Sequence, residues 1–184
     1  MLPGMTVINP CDFNQTKLAT IAISKHKGPV YLRFGRPKVP NFIDEKSKFE
    51  IGKGFLLKEG SDVTLIATGH LVWEAIQAAE EIKEQNIDVE VINIHTIKPL
   101  DNKIIIDSVK KTGCLVTAEE HNYIGGLGES ISGMLSKIHP TPQEFVAVND
   151  SFGESGTPSQ LMEKYGLNKK TIIHKINKVI NRKI

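Results

Sequence analysis

Asp62 to Asn93 reads DVTLIATGHLVWEAIQAAEEIKEQNIDVEVIN, and its pattern of apolar residues decides the fold. Val63, Leu65, Ile66 and Ala67 form a short apolar run that stops at Thr68-Gly69. Val72, Ala75, Ile76, Ala79 and Ile82 then recur at spacings of three and four, with Glu74, Glu80, Glu81, Lys83 and Glu84 mostly off that stripe. Val89, Val91, Ile92 and Ile94 form a second run. Apolar strand, amphipathic helix and apolar strand in that order predict a right-handed parallel crossover, because parallel neighbours need a helix-length connection.

Working outward, the pattern repeats. Asp101 is placed to cap a helix from Asn102 to Lys111 with Gly113 as its exit, Cys114 to Ala118 is a strand, and Glu129 to Lys137 a helix. Glu144 to Val148 is a strand, Asn149 to Thr157 a polar loop, and Pro158 to Tyr165 and Lys169 to Arg182 are helices. Phe49 to Leu57 is the candidate antiparallel edge strand. The fold class is therefore α/β, a three-layer α/β/α sandwich on a mainly parallel sheet. Upstream, Met5 to Ile8, Phe13 to His26 and Val30 to Phe34 read as strand, helix and strand, with Asp12 as the helix cap. Two strands and one helix cannot bury their own apolar faces. Residues 1–44 therefore read as the tail of another domain plus a linker, and 45–184 as the main domain.

The 184 residues carry a net charge of +2 with 40% hydrophobic and 24% charged side chains, a balance that marks no nucleic-acid or membrane surface. No apolar run reaches the roughly 18 residues of a membrane span, and MLPGMTVINP lacks the regions of a secretory signal. Cys11 and Cys114 have no pairing or metal-ligand spacing, which suits buried thiols in a reducing, cytoplasmic setting. The lysines of NKKTIIHKINKVINRKI read as a solvated helix face.

Ligands of open α/β sheets sit at the carboxyl ends of strands. Three segments qualify here. Thr68-Gly69-His70 has a lone glycine, which is no phosphate fingerprint, and reads first as a tight turn. Glu119-Glu120-His121 followed by Gly125-Gly126-Leu127-Gly128 could combine acid–base groups with backbone donors at a helix start. Its glycine spacing does not match the dinucleotide fingerprint, and it reads first as a structural turn or subunit contact. Asp150 to Gly156 (DSFGESG) suits a loop of unusual backbone angles. The six histidines have no metal-ligand spacing. Arg33 and Arg36, beside a glycine and a proline, suit a phosphate or carboxylate, or a surface ion pair.

Several stretches together resemble a known family. GPVYLRFGRP (Gly28 to Pro37), the Asp62 to Gly69 strand and turn, Lys98-Pro99-Leu100-Asp101, Ala118-Glu119-Glu120-His121, Gly125 to Gly128, Asp150 to Gly156 and Tyr165-Gly166-Leu167 occur in the order found in transketolase. The set spans essentially the whole chain. It resembles the end of the thiamine-diphosphate-binding pyrimidine domain joined to the transketolase C-terminal domain. 1-Deoxyxylulose-5-phosphate synthase and the β subunits of 2-oxo acid dehydrogenases share that architecture; the ending from Phe152 to Leu167 favours transketolase.

The resemblance implies transfer of a two-carbon ketol unit between sugar phosphates, as in the pentose phosphate pathway. It implies thiamine diphosphate and a divalent metal, Mg or Ca, in the complete enzyme, both held by earlier parts of the family's sequence and neither expected on this chain alone. The implied partners are the N-terminal part of transketolase, in a homodimer or heterotetramer. One functional position carries over: Arg36 in Phe-Gly-Arg-Pro matches the arginine that binds the sugar phosphate. Arg33 matches no assigned role, and Glu119, Glu120 and His121 are expected to be structural. A reading of another class, a regulatory module binding a small anion at the Glu120 to Gly128 loop, stays open beside these.

Overall fold

A computed structural model describes residues 2–35 and 38–183. The central βαβ unit forms as its apolar runs require. β4 (Val63–Ala67) pairs in parallel with β5 (Val89–Asn93), Val63 opposite Val89 through Ala67 opposite Asn93, across helix α2 (Leu71–Glu81). Both strands are buried along their whole length, including the polar residues Thr64, Glu90 and Asn93, as expected for central parallel strands covered on both faces.

Five strands make the main sheet, in the order β3 (Phe55–Lys58), β5, β4, β7 (Leu115–Asn122), β8 (Gln143–Val148). All pairs are parallel except β3 with β5, so the antiparallel edge strand is present, beginning at Phe55 rather than Phe49. α2 and α6 (Lys169–Ile180) cover one face, and α3 (Asn102–Thr112) and α4 (Leu127–Ile138) cover the other. β4 serves both layers by its pleat. Val63, Leu65 and Ala67 enter the α2/α6 core, while Ile66 packs with Ile105, Val109, Ile131 and Leu135. The one polar position in that strand, Thr64, is satisfied by Ser108 Oγ and Thr112 Oγ1 on α3, at 2.5 and 2.7 Å. Helix limits follow the chain's caps. Asp12 accepts from Gln15 N, Asp101 from Ile104 N, and Gly113 ends α3 with φ +76°.

The upstream segment packs against the main domain by a route the sequence does not announce. β1 (Thr6–Ile8) pairs in parallel with β2 (Val30–Leu32) and antiparallel with β6 (Thr96–Lys98), a three-residue strand that continues the main-sheet connection after β5. Helix α1 (Phe13–Ile23) adds side-chain ties. Asn93 Nδ2 donates to Gln15 Oε1 (3.0 Å) and Cys11 Sγ (3.2 Å). Asp12 Oδ2 accepts from Phe42 N and Ile43 N (2.9 and 2.8 Å) and so fixes the linker as well as the helix. The basic side chains of α6 and of Arg182 just beyond it are largely exposed, as read, but three of them share one partner. Lys175, Lys178 and Arg182 converge on Glu144 of β8 at 3.1, 3.1 and 2.6 Å.

Candidate functional site

The sheet order places the crevice. From β4 the chain moves to β5 on one side, then returns through α3 to β7 on the other side of β4. The carboxyl ends of β4 and β7 are thus a topological switch point, where the two flanking connections diverge and leave a gap. His70 follows β4 and Glu120 lies near the end of β7. The strand runs to Asn122, so Glu119, Glu120 and His121 project from a strand rather than from the loop expected after Ala118.

That alternation separates the two carboxylates. Glu119 is buried, and its two oxygens accept from Leu127 N and Gly128 N at 2.8 Å each. It fills the donor-rich start of α4 that an anion would otherwise seek. The neighbouring amides are also taken: Ile124 N by Asn122 Oδ1, Gly125 N by Glu129 Oε2, and Gly126 N by Tyr123 O. The glycines serve packing. A Cβ on Gly126 would lie 2.5 Å from Glu119 Oε2, and one on Gly128 would lie 2.6 Å from the Phe145 ring. Gly125 has φ +75°. The loop read as an anion site is closed by the chain's own carboxylate. His121 Nδ1 sits 3.7 Å from Glu119 Oε2.

Glu120 faces the crevice. Its Oε1 accepts from Arg33 Nη2 at 3.2 Å, and its Oε2 lies 3.3 Å from His70 Nδ1. Burial works to raise the Glu120 pKa, but the His70 contact and the charges of His70, Arg33 and His121 outweigh it and hold the carboxyl below its ordinary range. Arg33 is itself placed by its backbone, whose N–H donates to Ile8 O at the end of β1. The His70 ring lies against Gly35: a Cβ at that position would be 2.1–2.9 Å from three ring atoms. Asn9 fits against Gly69, whose φ is +56°, and a Cβ there would meet Asn9 Nδ2 at 2.7 Å. The crevice of the main sheet is therefore occupied by the Arg33–Phe34–Gly35 segment that follows β2. Two recesses flank this cluster. One of about 510 Å³ is lined by Thr16, Phe34, Gly35, Lys38, Asn41 and His70, and one of about 280 Å³ by Tyr31, Arg33, Ile97, His121 and Ile124 among others.

Arg36, the residue singled out for an anion, lies outside the described residues. Arg33, His70 and Glu120, read separately in the sequence, come together. The Asp150–Gly156 loop does not join them: Asp150 Oδ1 accepts from Asn122 Nδ2, and Phe152 O accepts from Tyr165 Oη. In the sequence, His70 and Glu120 are marked only as members of two separate segments at strand carboxyl ends, and no spacing links either to Arg33, 87 residues from Glu120. Cys11 and Cys114 are buried free thiols, and burial raises both pKa values, that of Cys114 to about 11, so neither offers a thiolate nucleophile. Among the described residues no group of three His, Cys, Asp or Glu side chains is placed to hold a metal ion, and no helix is long and apolar enough to cross a membrane. With its amides taken, the loop at the start of α4 does not fit a diphosphate group.

Comparison with known proteins adds identity to this geometry. The family model described as "Transketolase, C-terminal domain" matches residues 52–172. The 6-deoxy-6-sulfo-D-fructose transketolase subunit of Clostridium sp. (strain MSTE9) is 44% identical over 99% of this chain and 56% of its own length. An apulose-4-phosphate transketolase subunit of Phocaeicola vulgatus is 34% identical over 92% of this chain and 54% of its own. A solved structure described as "Split gene transketolase, inactive beta4 tetramer" superposes with a TM-score of 0.97 at 40% identity, covering 100% of this chain and 60% of that one. The chain thus spans about half the length of these two relatives.

Proposed function

This chain belongs to the transketolase family, corresponding to its C-terminal section, and from that membership we propose that it works as the assembly-forming part of a thiamine-diphosphate-dependent ketol transferase acting on sugar phosphates. In this reading residues 1–44 are the end of the pyrimidine domain and its linker, and 45–184 are the C-terminal domain. The partner is a transketolase N-terminal section, the assembly is a dimer of such pairs in the cytoplasm, and this chain alone is inactive.

Thiamine diphosphate with its Mg or Ca ion, when bound in the complete enzyme, supplies the carbanion for ketol transfer. We assign that site to the partner section; in this chain the helix start that would suit a diphosphate, that of α4, is already filled by Glu119. The contribution of this chain is binding and placement. Arg36 would pair with the terminal phosphate of the sugar through charge-assisted, bidentate hydrogen bonds. The observation that carries the reading is the 0.97 superposition on a split-gene transketolase. A second terminal anion is worth including, because the relative at 44% identity is described as acting on a sulfonated fructose. A sulfonate presents three oxygens to a guanidinium much as a phosphate does.

The test is reconstitution. The chain is co-expressed with a transketolase N-terminal section from the same genome and assayed for ketol transfer from phosphorylated and sulfonated ketoses. We expect transfer by the complex and none by the chain alone; transfer by the chain alone, or none by an assembled complex, overturns the proposal. Arg36→Ala is expected to weaken kcat/KM for the anionic sugar by about 10- to 100-fold, the range for losing a charged hydrogen bond of about 1.5–3 kcal/mol.

A further inference from the structure

Building on that reading of Arg36, we propose that Glu120 and His70 are positioning residues: through a bridge across the switch-point crevice, the C-terminal domain holds the Arg33–Gly35 segment that precedes the substrate-binding arginine in the chain. Among the described residues the segment leaves β2 with one backbone anchor, Arg33 N to Ile8 O. Beyond it Phe34 is 59% exposed and offers little packing. What holds the rest comes from the main domain. Glu120 uses one carboxylate oxygen on Arg33, at the start of the segment, and the other on His70, whose ring supports Gly35 at its end. A single carboxylate thus grips both sides of three residues, and position 36 is the next in the chain.

Each residue type fits this task. Only glycine at position 35 leaves room for the ring, since a Cβ would penetrate it. Glu119, one position away and on the other side of the strand, is committed to α4 and cannot substitute. An arginine that must meet a tetrahedral anion in two-point geometry needs its backbone fixed to within about 0.5 Å.

Two readouts test this. In the isolated full chain, hydrogen exchange of the peptide spanning 30–35 should rise in Glu120→Ala and His70→Ala while β4 and β5 stay protected; unchanged exchange in both variants overturns the bridge. In the reconstituted complex, the same variants should raise KM for a phosphorylated ketose about tenfold or more with kcat within about threefold. KM for the unphosphorylated ketose erythrulose should be unmoved. Glu120→Gln, which keeps an acceptor for Arg33, should recover part of the loss. Gly35→Ala, which leaves both bridge residues intact but displaces the ring, should reproduce the KM effect. Equal losses with both substrates mean general damage and overturn the substrate role, as does an unmoved KM. A wild-type complex that transfers no ketol unit overturns the functional reading and the substrate role with it, while exchange still decides whether the bridge holds the segment.

Discussion

Glu119 and Glu120 are adjacent, yet the pleat of β7 gives them opposite employments. Glu119 satisfies two buried amides at the start of α4. Truncating it to Ala leaves both donors without a partner, so we expect a loss of about 2–4 kcal/mol in urea unfolding, with Gln recovering part of it because one carbonyl oxygen remains. Gly128→Ala should cost about 1–3 kcal/mol by forcing the Phe145 ring and Thr117 apart from α4. The sequence showed the glycines but not this reason for them, because the atoms that crowd Gly128 belong to two other strands. His95 gives a pH signature. Burial beneath the stacked Phe49 ring lowers its pKa from 6.5 to about 4, against a weaker opposing pull from Asp101. A depressed histidine contributes stability that is complete above 6.5 and is lost as pH falls toward 4, since the unfolded chain takes up the proton first. Between pH 7 and 5 the wild type should lose about 1–2 kcal/mol more than His95→Gln. Equal slopes in paired denaturation curves would contradict a buried neutral imidazole. The carboxyls of Glu120 and Glu144, held below their ordinary range by their partners, also lose stability as pH falls but do so in both proteins, so the difference between the two isolates His95.

At the scale of elements, α6 shows how far periodicity reaches. Its apolar stripe, Ile172, Ile176 and Val179, was legible from spacing and is fully buried against α2 and the sheet. Ile176→Ala is expected to cost about 2–5 kcal/mol in chemical denaturation, the range for emptying a closed core position. Its polar face was not legible as a clamp, because nothing local marks Lys175, Lys178 and Arg182 as partners of a glutamate more than thirty residues earlier. Burial pushes the Glu144 pKa up, and the hydrogen bonds from Lys178, Lys175 and Arg182 more than reverse it. The cations at 178 and 182 are half-exposed, so solvent screens much of the attraction. Glu144→Gln should lose about 1–2 kcal/mol at low salt and less at about 1 M salt, where screening shortens the reach of charge to about 3 Å. Salt-independent loss would assign the effect to hydrogen bonding alone. β6 is the element the sequence hid entirely. Thr96–Lys98 is too short to show alternation, and it is a strand because β1, some ninety residues earlier, pairs with it.

That pairing governs the behaviour of the whole molecule. Composition and turn signals divide residues 1–44 from the rest, and the family model begins beyond that division, at residue 52. Physically the two stretches interlock: β1 shares hydrogen bonds with β6, Asn93 binds Cys11 and Gln15, and Asp12 pins Phe42 and Ile43. The upstream segment cannot bury its own apolar faces, and its removal would expose Asn93 and His95, which are 0% and 2% accessible. One cooperative unfolding transition is therefore expected for the full chain. Trp73, the only tryptophan, provides a local probe because it stacks on Phe42 of the linker at 5.7 Å between ring centroids. Its fluorescence and far-ultraviolet circular dichroism should report the same urea midpoint. Midpoints that separate beyond error would show the upstream segment and linker releasing first, as an independent unit. Asp12→Ala sharpens the comparison. It orphans the amides of Phe42, Ile43 and Gln15 and should lower the common midpoint by an amount equivalent to about 2–4 kcal/mol. If Asp12 fixed only the linker, the variant would shift the Trp73 emission in the native state and leave the midpoint where it was. Because the same carboxylate also caps α1, which holds Gln15 against Asn93, a shared midpoint shift is the expected result.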